Sequence, residues 1–217
     1  MSLPPQSRQQ SASPASLWVK VCGMTTVEGV AAAVAAGVDA VGFVFFPRSK
    51  RYVTPQDAAR LAARVPKAIL KVAVFLHPSQ AELDAVLGAF QPDIVQTDLE
   101  DFARLTVPAG MTVLPVLRSG GVLPTQLPPR VLFEGPTSGT GTTADWTSAL
   151  TLARRCEVIL AGGLTPANVA DAVRLVAPFG VDVSSGVEQS PGIKDPERIA
   201  EFVRSARQQR RGPGAEQ

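Results

Sequence analysis

The sequence predicts a single-domain α/β protein, a (β/α)8 TIM barrel in which a loop replaces the fifth helix. Three observations carry that expectation. Short β-branched runs alternate with Ala-rich segments of helical period, the pattern of βα units around a parallel sheet. Eight such runs can be read along the chain, and a flavodoxin-like sheet, the rival, usually needs fewer. At 217 residues, 45% hydrophobic and 18% charged, the chain supports one sizeable core and falls short of two comfortable domains.

The strands are expected in order at Val19 to Cys22, Ala40 to Phe45, Lys71 to Phe75, Ile94 to Gln96, Thr112 to Leu117, Arg130 to Phe133, Glu157 to Leu160 and Val181 to Val183. Helices fit between them at Val27 to Ala36, Pro55 to Arg64, Ser79 to Phe90, Leu99 to Leu105, Trp146 to Arg154 and Pro166 to Val176, and Pro196 to Arg207 closes the ring. The fifth connection, Arg118 to Pro129, contains Gly120, Gly121, Pro124, Pro128 and Pro129. Those residues disfavour a helix interior, so a loop is expected there. The barrel should span residues 17–207, between a disordered Ser-, Gln- and Pro-rich extension at 1–16 and a disordered tail at 208–217.

Composition excludes several classes of function. A net charge of +2 offers no basic surplus for nucleic acid. No apolar run reaches the roughly 18 residues of a membrane span, and the N-terminus lacks a secretory apolar core, so a cytoplasmic protein is expected. Cys22, Cys156 and the single His77 form no cluster at metal-ligand spacing, and no metal is expected.

Active sites of this fold lie at the C-terminal ends of the strands, so the residues ending each strand are the candidates. Strand 1 ends in Lys20-Val21-Cys22-Gly23-Met24-Thr25. Cys22 is there either as a base or nucleophile or as a space-filling buried thiol. A functional Cys22 should be partly exposed and close to positive charge, with the start of helix 1 and nearby cations lowering its thiol pKa. Thr25 or Thr26 is placed to cap the first helix. Cys156, just before strand 7, lies at the opposite end of the barrel.

After strand 2 come three cations, Arg48, Lys50 and Arg51. Charge alone does not choose between an anion site and a solvated face. Strand 6 leads into Glu134-Gly135-Pro136, which makes Glu134 a candidate acid, followed by Gly139-Thr140-Gly141. Asp182 within strand 8 is a candidate ligand group or reserve acid, with structural support of the barrel mouth as the other reading. His77 reads as a loop surface residue, and Asp98 as a local hydrogen-bond partner or, more commonly for an Asp so placed, a helix cap.

The strongest signal is near the end of the chain. Ile159-Leu160-Ala161-Gly162-Gly163 and Gly180-Val181-Asp182-Val183-Ser184-Ser185-Gly186 are strands that open directly into small residues. Small residues let backbone N–H groups approach an anion, and the loops after strands 7 and 8 form the usual phosphate cup of this fold. Gly162, Gly163, Ser184, Ser185 and Gly186 therefore point to a phosphorylated small molecule.

Several stretches taken together, in this order, resemble the phosphoribosylanthranilate isomerase family of tryptophan biosynthesis. They are Lys20-Val21-Cys22-Gly23-Met24-Thr25, Pro47-Arg48-Ser49-Lys50-Arg51-Tyr52-Val53, Gly139-Thr140-Gly141 with Asp145-Trp146, Ala161-Gly162-Gly163-Leu164-Thr165-Pro166 with Asn168-Val169, and Val181-Asp182-Val183-Ser184-Ser185-Gly186-Val187-Glu188 through Pro191-Gly192 and Lys194-Asp195. The resemblance runs from Trp18 to Val203. It implies an Amadori rearrangement of N-(5-phosphoribosyl)anthranilate, an aldose–ketose isomerisation without cofactor, in a monomer or homodimer. Cys22 matches the family's general base and Arg51 its anthranilate-binding Arg. The phosphate is implied to sit near Gly141, Gly162, Gly163, Ser184, Ser185 and Gly186.

Two positions depart from the family. Its usual Asp at the end of strand 6 is Glu134 here, one methylene longer, and its Gln-Leu-His-Gly run reads Gln96-Thr97-Asp98-Leu99. Two other readings stay open at this point: a neighbouring phosphosugar barrel such as indole-glycerol-phosphate synthase, and a silent protein that binds a phosphorylated ligand without turning it over.

Overall fold

The computed structural model describes residues 17–136 and 144–210. Eight parallel strands close into a barrel in sequence order: β1 (Trp18–Cys22), β2 (Ala40–Val44), β3 (Leu70–Val74), β4 (Ile94–Asp98), β5 (Thr112–Arg118), β6 (Arg130–Glu134), β7 (Glu157–Leu160) and β8 (Gly180–Val183). Lys20 closes the ring by register, opposite Ala40 on one side and Asp182 on the other.

Six α-helices cover the outside among the described residues: α1 (Val27–Ala35), α2 (Pro55–Ala62), α3 (Gln80–Phe90), α4 (Trp146–Ala153), α5 (Val169–Val176) and α6 (Pro196–Arg210). Their starts are chemically marked. Thr26, Thr54 and Asp145 each accept an N–H of the first turn, and Ser79 and Glu82 form a reciprocal capping box at α3. Pro55 follows Thr54, where its missing N–H costs nothing. The last helix runs to Arg210, beyond the Arg207 expected for the end of the barrel. Arg207 itself reaches Asp39 at 2.8 Å and so joins α6 to the loop before β2.

The loop expected in place of the fifth helix is present between Arg118 and Arg130. The helix expected after strand 4 is corrected to a 3-10 turn, Leu99–Ala103. Its Asp101 is buried and ties down to Thr97, His77 and Arg104, which pins the segment to the sheet before a full helix can extend. Helix α5 starts at Val169, three residues later than Pro166, because Asn168 spends its side chain on Thr165 N and Gly163 O. A small hairpin that sequence periodicity did not predict, β9 (Glu188–Ser190) and β10 (Ile193–Lys194), lies before α6.

Strand side chains alternate between the two faces of the sheet, and here the alternation separates two cores. Val19, Val21, Val41, Phe43, Val95 and Val131 pack outward against the helices. Ala40, Val72, Ile94, Leu114, Leu132 and Ile159 fill the interior. Moving up each strand by two from an interior residue leads from Ile94 to Gln96 and Asp98, from Val116 to Arg118, and from Leu132 to Glu134. Polar side chains thus collect above the apolar interior, at the C-terminal mouth.

Candidate active site

Cys22 ends β1 facing that interior. It is 7% exposed, so the expectation of a partly exposed thiol is corrected. The expectation of nearby positive charge holds, because Lys20 lies two residues below on the same face. A Cβ placed on Gly42 would stand 2.8 Å from Cys22 Sγ and 3.2 Å from Lys20 Cε, so the two side chains converge over that glycine. The expected lowering of the Cys22 pKa is corrected: burial pushes the thiol above its ordinary range, with Lys20 opposing, Asp182 reinforcing and Lys194 opposing the rise. Lys20 is fully buried and bonds Asp182 at 2.9 Å. Burial alone would lower its pKa, but the Asp182 carboxylate outweighs that and keeps the ammonium charged.

Arg51 arrives from the loop after β2 and meets Glu188 through two bonds, Nε to Oε1 at 2.7 Å and Nη2 to Oε2 at 2.8 Å. Lys194, 4% exposed, joins the same carboxylate at 2.8 Å. For Glu188 burial pushes upward, but the bonds from Arg51 and Lys194 win and hold it below the usual carboxylate range. Of the loop's three cations, Arg51 is the one whose stem is packed into the site, and its forked edge is engaged by Glu188.

Gly23 connects these two halves. Its φ is +80°, and a Cβ there would come within 2.5 Å of Arg51 Cδ. Gly23→Ala therefore meets both left-handed strain and a collision. We expect it to displace Arg51 and raise KM by about 10-fold or more, with a smaller effect on kcat, in steady-state kinetics.

The loops after β7 and β8 lie against each other. Gly162 and Gly163 both have positive φ, +85° and +64°. Consecutive residues of this kind turn backbone N–H groups toward a common point. Gly186 lies so close to the Leu164 carbonyl that no side chain fits between them. Ser184 Oγ donates to Cys22 O at 3.0 Å, so its hydroxyl ties the β8 loop to β1. Ser185 and Gly186 begin a short 3-10 turn, Ser185–Val187. Gly139, Thr140 and Gly141 lie outside the described residues.

Glu134 ends β6 and is bonded by Arg118 Nη1 at 2.6 Å, while Arg118 Nη2 holds Asp98 at 2.6 Å. Asp98 makes no capping bond to the turn it precedes, so of its two expected uses the cap is corrected and hydrogen bonding is what the structure shows. Its other oxygen stands 3.4 Å from His77 Nε2, and His77 Nδ1 is 3.0 Å from Asp101. His77 is half exposed, as read, but is held in a left-handed conformation inside this network. His77, Asp98 and Glu100 bring possible ligand atoms within 4.8 Å of one another, a convergence that sequence spacing did not reveal. Two of the three have partners within the chain: Arg118 bonds Asp98, and Asp101 meets His77.

Lys20, Arg118 and Glu188 were not singled out from sequence. Strand parity was the available signal for the first two: Lys20 precedes Cys22 by two, and Arg118 is the last interior-facing residue of β5. Cys156 lies just before β7, at the far end, as expected.

A closed eight-stranded barrel with a buried thiol, carboxylates and cations gathered at its C-terminal mouth defines a (β/α)8-barrel enzyme acting on a small anionic molecule. The family model described as N-(5'phosphoribosyl)anthranilate (PRA) isomerase matches residues 19–205. The chain is 43% identical over 209 residues to N-(5'-phosphoribosyl)anthranilate isomerase of Paracoccus denitrificans, covering 87% of this chain and 96% of that one. It is 37% identical over 201 residues to the enzyme of that description from Thermotoga maritima, covering 87% and 98%. The crystal structure of the Thermotoga maritima phosphoribosyl anthranilate isomerase superposes with a TM-score of 0.75 at 32% identity, over 88% of this chain and 98% of that one. A phosphoribosyl anthranilate isomerase in complex with reduced 1-(o-carboxyphenylamino)-1-deoxyribulose 5-phosphate gives 0.70 at 31%, over 88% and 98%.

The chain belongs to the phosphoribosylanthranilate isomerase family of tryptophan biosynthesis. Its reaction is the isomerisation of N-(5'-phosphoribosyl)anthranilate by an Amadori rearrangement, on a small phosphorylated substrate. No helix among the described residues is long and apolar enough to cross a membrane.

Proposed function

We propose that Cys22 is the general base and Glu134 the general acid of this rearrangement. The observation that carries the reading is their placement: each is the last interior-facing residue of its strand, on β1 and β6. Glu134 gives its proton to the furanose ring oxygen as the C1–O bond breaks and the anilino nitrogen lone pair forms C1=N. Cys22 thiolate then takes the C2 proton. The C2–H electrons form C1=C2 and the iminium pair returns to nitrogen. Tautomerisation of the resulting enol moves one proton from the C2 hydroxyl to C1 and yields the ketone. Atoms and electrons balance within the substrate, so the sequence of steps calls for no external oxidant.

Arg51 binds the anthranilate carboxylate through the part of its guanidinium that Glu188 does not engage, while Glu188, itself held by Lys194, fixes the Nε–Nη2 edge. The phosphate takes backbone N–H groups at Gly162, Gly163, Ser184, Ser185 and Gly186. Asp182 serves the site through Lys20 and not as the acid. Gln96 Oε1, buried with no partner among the described residues and one layer above Ile94, is the acceptor for a substrate hydroxyl. The same reading places the enzyme in the cytoplasm.

The test is the fluorescence decay of freshly made phosphoribosylanthranilate with purified enzyme and with Glu134→Gln. General acid catalysis typically supplies about 10²–10⁴-fold, so the variant should lose at least about 100-fold in kcat while still binding a reduced product analogue. Near-normal turnover by Glu134→Gln would remove Glu134 from the acid role.

A further inference from the structure

We propose that Arg118 is a positioning residue for the acid, holding Glu134 in place by its guanidinium while Asp98 balances its charge. The inference rests on the reading of Glu134 as the acid. It is drawn from two carboxylates far apart in sequence, Asp98 and Glu134, that the fold brings to one side chain. Arg118 bonds both carboxylates.

The geometry is set by the sheet. Arg118 and Glu134 are register partners on neighbouring parallel strands, and Ser119 N donates to Glu134 O at 2.9 Å, which locks the two strand ends together. Asp98 pairs with Val116, two residues below Arg118, so the arginine reaches it diagonally across β4 and β5. One terminal nitrogen serves each carboxylate, at 2.6 Å in both cases. The guanidinium is planar and rigid, so the separation of the two carboxylates is fixed by it. A point-charge ammonium does not impose that spacing.

The arrangement answers two demands. Glutamate has one more rotatable bond than aspartate, and a misplacement of about 1 Å at a reacting group costs on the order of 100-fold. Arg118 removes that freedom. A bare cation at this distance would also favour the ionised carboxylate and oppose a proton-donating role. Asp98, 6% exposed in its side chain and backed by His77, offsets the charge of Arg118, so the guanidinium holds Glu134 as part of a neutralised pair.

The experiment compares Arg118→Met, Glu134→Gln and the double variant in steady-state kinetics, with circular dichroism as the check of folding. Arg118→Met is expected to lower kcat about 10- to 100-fold with KM changed less than about 3-fold. In the Glu134→Gln background the same change should cost less than about 3-fold, because a residue acting only through Glu134 has nothing left to position. Arg118→Lys, which keeps the charge without the fork, should fail to restore kcat, and it supplies the same comparison should Arg118→Met not fold. If Glu134→Gln is crippled but Arg118→Met turns over normally, or the two losses multiply, or Lys restores kcat, the inference falls and the acid assignment stands. If Glu134→Gln is itself near normal, the acid assignment falls and the inference with it.

Discussion

Cys22→Ala is expected to lower kcat by at least about 100-fold while binding of a reduced product analogue stays within a few-fold, because in the proposed mechanism the variant removes the base and leaves the proposed anion contacts in place. Arg51, Glu188 and Lys194 form their own bonded group, and the cup after β7 and β8 is built from backbone, so neither depends on the thiol for its shape. Isothermal titration with the analogue, beside turnover, separates the two effects. Near-normal turnover would exclude Cys22 as the base. The burial of the thiol adds a pH dependence. A base must be deprotonated to act, and burial raises the Cys22 pKa above its ordinary range. In the free enzyme kcat/KM should therefore climb with pH through neutrality into the alkaline range, and that rising limb should be absent from the residual activity of Cys22→Ala.

Lys20→Met should be the most destabilising single change in the barrel interior. Lys20 is fully buried and its partner Asp182 is 8% exposed, so deleting the ammonium leaves a buried carboxylate without its bonded partner and with only the weaker influence of Lys194. Breaking a buried pair in this way typically costs about 3–5 kcal/mol, which urea unfolding would read directly. The sign with pH follows from the unpaired carboxylate. Burial already raises the Asp182 pKa with Lys20 present, and loss of Lys20 raises it further, so the penalty is full only above that raised pKa and fades as acidification protonates Asp182. Restoring stability by Lys20→Met with Asp182→Leu would attribute the loss to the orphaned charge. An unchanged urea midpoint in Lys20→Met would contradict it. The same substitution withdraws the cation nearest Cys22, so the alkaline limb of kcat/KM should move further up.

Glu188 shows the opposite linkage. Its carboxyl is held below the usual range by Arg51 and Lys194, so the stability it contributes is present at neutral pH and is lost as the pH falls through that lowered value.

Much of this molecule could be read in advance, and the reasons are local. Strand starts and ends follow from β-branched runs bounded by turn residues, and the helix caps follow from single side chains such as Thr26, Thr54 and Ser79 bonding N–H groups two or three residues on. The missing fifth helix follows from proline and glycine. The helix expected after strand 4 was misjudged because its fate rests on Asp101 meeting His77, 24 residues away in sequence, which no local pattern encodes.

By itself, then, the sequence determined the eightfold alternation, the residues that end each strand, and the family to which Cys22, Arg51 and the two glycine-containing loops belong. The tertiary structure alone decided how those residues are partnered. Lys20 finds Asp182 across 162 residues, Arg51 finds Glu188 across 137, and Arg118 stands between Asp98 and Glu134. Those pairings depend on strand stagger and on closure of the barrel, which bring the last strand beside the first. Burial of the thiol was decided there too, since a cysteine at a strand end is exposed or covered according to what the neighbouring strands and loops place over it.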